Sequence, residues 1–121
     1  MLKAPLALID KRRPHQEAAE VSYVIGDVSG KNAIVLDDVV NTGSTIEPVA
    51  KVLLEQGAKS VYVCATHAIL AGSALERLQQ SEIKEAIFTN TIAMPKEKKI
   101  PKIKVLDVSK LLARAIEIIH K

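Results

Sequence analysis

Apolar runs of strand length recur along the chain, separated by stretches in which apolar residues return at helical spacing. The first run, residues 4–9, is closed by Asp10-Lys11-Arg12-Arg13-Pro14, where polarity and proline end an extended element. A polar stretch over 15–20 leads to residues 21–28, whose loose alternation predicts an exposed strand or hairpin arm punctuated by Gly26 and Gly30. Asn32-Ala33-Ile34-Val35-Leu36 is a continuous apolar run of the kind that parallel sheets bury on both faces. Ile46, Val49, Ala50, Leu53 and Leu54 mark one face of a helix over 46–56, with Gly57 placed as its C-terminal cap. A buried strand is predicted over 60–65, a shorter helix marked by Leu75 and Leu78 after Gly72-Ser73, and a further strand over 86–89. Residues 95–102, rich in proline and lysine, predict a solvated loop before a short strand over 103–106. The last helix is capped by Ser109 and carries a stripe of Leu111, Leu112, Ala115, Ile116 and Ile119. Strands alternating with helices, with no repeat, low-complexity tract or linker, predict one α/β domain over residues 1–121. Its sheet is mostly parallel and flanked by helices on both faces.

Composition excludes several classes. With 121 residues, 48% of them apolar and 26% charged, the chain has the balance of a single globular core. No run approaches the roughly 18 apolar residues of a membrane span, and the first residues do not read as a signal peptide. Cys64 is the only cysteine, so neither an internal disulfide nor a cysteine-based zinc site can form, which suits a reducing cytoplasm. Cys64 itself reads as a small buried hydrophobe, and His67 as a hydrogen-bonded histidine at a strand end, since no partner stands at metal-ligand spacing. Tyr23, Tyr62 and Phe88 are too few aromatics to stack bases, and the net charge of +3 is spread among acidic residues; no nucleic acid and no membrane partner is expected.

The most informative stretch is Ile34-Val35-Leu36-Asp37-Asp38-Val39-Val40-Asn41-Thr42-Gly43-Ser44-Thr45-Ile46, read as a strand, two carboxylates at its end, a hydroxyl-rich glycine turn and a helix start. Open α/β sheets bind ligands beyond the carboxyl ends of their strands. Backbone N–H groups of the turn, helped by the Thr42, Ser44 and Thr45 hydroxyls, can wrap a phosphate. Asp37 and Asp38 repel that anion and suit vicinal hydroxyls instead, so the two halves together fit a sugar phosphate, of which ribose 5-phosphate is the simplest. Neither Walker A nor G-x-G-x-x-G is present. The competing explanation is a capping box of Ser44 and Glu47, which leaves Thr42 and the two carboxylates without a role.

Asp37-Asp38-Val39-Val40-Asn41-Thr42-Gly43-Ser44-Thr45 resembles the phosphoribosyl diphosphate (PRPP) motif of type I phosphoribosyltransferase folds. The motif alone does not separate the transferases from PRPP synthetase (ribose-phosphate diphosphokinase). Ile9-Asp10-Lys11-Arg12-Arg13-Pro14, Gly26-Asp27-Val28-x-Gly30-Lys31 and Thr66-His67-Ala68-x-x-x-Gly72-x-Ala74-x-Glu76-Arg77 look like the synthetase, in the same order and spacing. The resemblance runs from about Ala4 to the last helix and is to the C-terminal half of that enzyme.

The resemblance implies that Lys11 and Arg13 belong to a mobile catalytic loop steadying the triphosphate of ATP as its β,γ-diphosphoryl group passes to the ribose 1-hydroxyl. Cations placed on developing negative charge are what such a transfer needs. Asp37 and Asp38 are then expected to hold the ribose hydroxyls, and Asn41, Thr42, Gly43, Ser44 and Thr45 the 5-phosphate. The synthetases usually carry aspartate at the position of Asn41, whose amide can still donate or accept. The family's ATP-binding motifs, magnesium ligands and diphosphate loop lie in an N-terminal half with no counterpart in these residues. The chain is therefore expected to bind ribose 5-phosphate or PRPP, to hold no metal of its own, and to be inactive unless a complementary N-terminal synthetase chain supplies the MgATP site. A phosphoribosyltransferase consuming PRPP, and a non-enzymatic PRPP-binding or oligomerising module, are the alternative readings. Apolar surface left over from such a division predicts a homo-oligomer.

Overall fold

The computed structural model describes residues 3–12 and 21–121. Two strands come first, β1 (Leu8–Arg12) and β2 (Val21–Ile25). They pair antiparallel from Leu8↔Ile25 to Arg12↔Val21 and form a ribbon separate from the main sheet. The first strand therefore starts at Leu8 and runs through Asp10 and Lys11, residues whose polarity predicts its end. A ribbon open to water on one face accommodates charged positions, so polarity alone does not terminate it. Gly26 follows β2 with φ +118, and a Cβ there would stand 3.2 Å from Ala7, so the missing side chain lets the chain before β1 approach closely.

The main sheet contains β3 (Asn32–Val40), β4 (Ser60–Ala68), β5 (Glu85–Thr89) and β6 (Ile103–Leu106), in that spatial order and all parallel. Helices α1 (Ile46–Glu55) and α2 (Ala74–Gln80) make the first two crossovers, a loop containing a short 3-10 turn (Lys96–Lys98) makes the third, and α3 (Ser109–His120) closes the chain. The α/β class and the parallel sheet are as the sequence predicts. A sheet wound in one direction through right-handed connections sets its crossover helices on one face. Accordingly Ile46, Val49, Ala50 and Leu53 of α1 and Ala74 and Leu78 of α2 share one buried cluster with Val61, Val63, Ala65, Ala86 and Phe88. β2 lies against α1 and extends that layer.

The opposite face differs from expectation. Register places Leu36, Cys64 and Ile87 level with one another on it. Ile34 is 55% and Leu36 74% exposed, so the apolar run of β3 is not buried on both sides. Among the described residues the only helix left for that face, α3, has no buried residue.

The turn 26–31 is a clip. The Asp27 carboxylate accepts Lys31 Nζ at 2.7 Å and the Ser29 N–H at 3.0 Å, and these bonds, that of Lys31 first, hold its pKa below the usual carboxylate value. Gly30 N–H donates to the Gly57 carbonyl and Lys59 N–H to that of Lys31, both at 2.8 Å, tying the clip to the end of α1 just before β4.

Candidate functional site

β3 runs on through Val40, so Asp37 and Asp38 lie inside the strand and not beyond its end. Both side chains are exposed. Asp37 Oδ1 accepts the Asp38 N–H and Asp38 Oδ1 the Val39 N–H, each at 2.8 Å, leaving one oxygen of each carboxylate to outside donors. Successive strand residues alternate between faces, so the two carboxylates set out from opposite sides of β3.

The turn after β3 spans Asn41, Thr42, Gly43, Ser44 and Thr45. Gly43 takes φ +72, and its carbonyl accepts the N–H groups of Ile46 (3.2 Å) and Glu47 (3.4 Å), which opens α1. Thr45 stands at the helix N-cap without a side-chain cap bond, and Ser44 Oγ instead accepts the Thr42 hydroxyl at 3.1 Å. The capping box does not form. Glu47 turns to Arg77, whose guanidinium reaches it at 3.4 Å while its Nε donates to Ser73 Oγ at 3.1 Å, joining the starts of α1 and α2. Among the described residues, no acceptor meets the N–H groups of Thr42, Gly43, Ser44 or Thr45. Unsatisfied N–H groups at a helix start, at the positive end of its dipole, are an anion cradle.

A second layer fixes this turn from below. The Val40 carbonyl accepts the N–H groups of Ile69 and Leu70, both at 3.1 Å, and the Asn41 carbonyl accepts that of Ala71 at 2.9 Å. Lys98 Nζ in turn donates to the Ile69 carbonyl at 2.9 Å. Leu70 is held at φ +50 with 2% exposure, a conformation a leucine keeps only where its surroundings impose it. Nothing in the sequence marks this residue, since leucine is not a left-handed former.

Beside β3, His67 of β4 is the register partner of Val39. His67 Nδ1 lies 2.8 Å from Thr91 Oγ1, and the Thr91 and Thr89 hydroxyls donate to the Thr66 carbonyl at 3.1 and 2.6 Å. Thr89 and Thr91 are absent from the sequence-level site. The signal for them is a pair of hydroxyl residues at the carboxyl end of a parallel strand, the edge where ligands bind. Lys11 lies within β1, in the separate ribbon, and Arg13 falls outside the described residues. Among the described residues, no group of three or more His, Cys, Asp or Glu side chains is placed to hold a metal ion. No described helix is long and apolar enough to cross a membrane.

Residues 7–121 match the family model described as the phosphoribosyl synthetase-associated domain. The chain belongs to that family. As a phosphoribosyl synthetase-associated domain it is similar to ribose-phosphate pyrophosphokinases. That of Caldanaerobacter subterraneus subsp. tengcongensis is 54% identical over 120 residues, which cover 99% of this chain and 38% of the relative. The Bacillus subtilis enzyme is 51% identical with the same coverage. The crystal structure of phosphoribosylpyrophosphate synthetase from Mycobacterium smegmatis superimposes with a TM-score of 0.85 at 39% identity, over 96% of this chain and 37% of that one. The domain thus spans well under half the length of these relatives.

Proposed function

We propose that this chain is the ribose 5-phosphate- and PRPP-binding part of a ribose-phosphate diphosphokinase, equivalent to its C-terminal half, and that the 121 residues alone form no PRPP. The observation that carries the reading is the row of four N–H groups at 42–45 without acceptors among the described residues, at the end of the strand that carries Asp37 and Asp38. The similarity to ribose-phosphate pyrophosphokinases and to a phosphoribosylpyrophosphate synthetase supports it.

In this reading the 5-phosphate sits on the N–H groups and hydroxyls of Asn41, Thr42, Gly43, Ser44 and Thr45. Asp37 and Asp38 accept hydrogen bonds from the ribose hydroxyls through the oxygens their neighbouring N–H groups leave unused. A carboxylate held in place by a backbone N–H needs little reorganisation when the sugar arrives. In the complete enzyme the ribose 1-hydroxyl oxygen attacks the β-phosphorus of ATP, the bond from that phosphorus to the α,β-bridging oxygen breaks, and AMP leaves as the hydroxyl proton is lost. Lys11 and Arg13 neutralise charge on the moving diphosphoryl group, and magnesium enters with ATP as part of that substrate. The nucleotide site comes from a complementary N-terminal synthetase segment or chain.

Calorimetry with ribose 5-phosphate, PRPP and MgATP, together with an assay for AMP release, tests the proposal. Both sugar phosphates are expected to bind, with perturbation of the Gly43 and Ser44 amides in NMR spectra and no AMP formed. Absence of sugar-phosphate binding would refute the site, and steady AMP release by the 121-residue chain would refute its incompleteness.

A further inference from the structure

We infer that His67 is a further ligand-binding residue of the phosphate-turn site, its Nε2 accepting a hydrogen bond from a hydroxyl of the bound sugar. The inference rests on the sugar-phosphate reading above and adds to it a residue on a different strand.

Position is the first argument. Val39↔His67 and Asp37↔Ala65 are register pairs of parallel strands, which lie about 4.8 Å apart. By the two-residue period, His67 leaves β4 on the face from which Asp37 leaves β3. The chain after His67 is also fastened to the turn, because Ile69, Leu70 and Ala71 donate to the Val40 and Asn41 carbonyls. Turn, carboxylate and imidazole therefore sit at one edge of the sheet, fastened to one another by these backbone bonds.

Proton inventory is the second. The Thr66 carbonyl can only accept, and it receives the Thr91 hydroxyl at 3.1 Å and the Thr89 hydroxyl at 2.6 Å. A threonine hydroxyl has one proton; directed to Thr66, it leaves Thr91 Oγ1 to meet His67 Nδ1 at 2.8 Å as an acceptor, whereas directed to Nδ1 it would fix the opposite tautomer. In the first arrangement His67 donates from Nδ1, and in the neutral ring the lone pair is on Nε2. Among the described residues no hydrogen bond reaches Nε2, and the side chain is exposed.

Two kinds of measurement test this. Imidazole ¹⁵N spectra of the ligand-free chain at a pH where the ring is neutral are expected to show Nε2 unprotonated; a ring protonated on Nε2 would overturn the inference. Ribose 5-phosphate and inorganic phosphate are then titrated into the wild-type chain and into His67→Ala, His67→Gln and Thr91→Val. His67→Ala is expected to weaken ribose 5-phosphate roughly three- to tenfold, the size of one hydrogen bond. Its affinity for inorganic phosphate, which reaches only the turn, stays unchanged. His67→Gln, whose amide oxygen can stand near the lost nitrogen, recovers part of the loss, and Thr91→Val shows a smaller loss in the same direction. Equal weakening of both ligands would mark a structural role and overturn the inference. Unchanged ribose 5-phosphate binding by His67→Ala would overturn it while the proposed function stands. A wild-type chain that binds no sugar phosphate would remove both.

Discussion

Gly43 carries two constraints in one residue. Its φ of +72 lies in the left-handed region, and a Cβ there would meet Ala74 at 3.9 Å, an ordinary contact distance. Replacement is thus opposed by backbone conformation and not by crowding, and Gly43→Ala is expected to cost about 1–2 kcal/mol. Urea denaturation checks this, and the larger consequence is expected in ribose 5-phosphate affinity, because any relief of φ re-aims the flanking N–H groups. Wild-type stability in the alanine variant would show that the turn tolerates a second geometry. Gly43 is legible in the sequence as the pivot of a hydroxyl-rich turn. Leu70 is not, because its left-handed backbone comes from the Val40 and Asn41 carbonyls, partners distant in sequence. Cys64 is intermediate: desolvation raises its pKa, as for a thiol facing apolar neighbours, yet its face of the sheet is not closed as its apolar strand suggests.

Element boundaries show where pattern reading stops. The core-facing residues of α1 stand where the periodicity places them, and the limits of β6 match the predicted strand. β3 overruns its apolar core by four residues because it is an edge strand whose chain stays exposed on both faces at Asp37 and Asp38, which therefore lose little hydration. At α3 the N-cap position is Val108, which has no side-chain cap bond, and the support comes from the residue before it. Asp107, not Ser109, holds the helix start, accepting the Ser109 N–H at 2.9 Å, the Ser109 hydroxyl at 2.8 Å and Asn90 Nδ2 at 2.9 Å. These bonds, the backbone one first, lower the Asp107 pKa. A carboxylate whose folded pKa is depressed contributes stability above its unfolded value, near 3.9, and loses it as pH falls through the folded one. The first turn of α3 is therefore expected to stay formed through neutral and mildly acidic pH and to fray below about pH 4. The Ser109 amide, followed by NMR, reports this directly. Asp107→Ala should show the frayed amide at neutral pH, and an unmoved Ser109 signal in that variant would reassign the cap.

At the scale of the molecule, the winding of the sheet decides what is left uncovered. Three parallel connections running one way place α1 and α2 together and leave Ile34, Leu36 and Leu106 open, the last 58% exposed. Leu111, Leu112, Ile116 and Ile119 of α3 are likewise more than half exposed along one helix. The sequence shows these side chains as a core strand and an amphipathic helix, but periodicity states only that a face is apolar and not which body covers it. For the purified 121-residue chain the expected cover is a second copy, meeting it through the α3 stripe and the open sheet face. Burying a leucine is worth about 1.5–3 kcal/mol, so a few such contacts suffice for association. Sedimentation velocity over a dilution series should show reversible self-association. Leu36→Lys on the sheet and Ile116→Glu on α3 should each weaken it about tenfold or more, since 1.4 kcal/mol is a factor of ten. Because neither residue belongs to the 41–45 turn, ribose 5-phosphate binding should survive both changes. A strict monomer at every concentration would rule the second copy out as the cover.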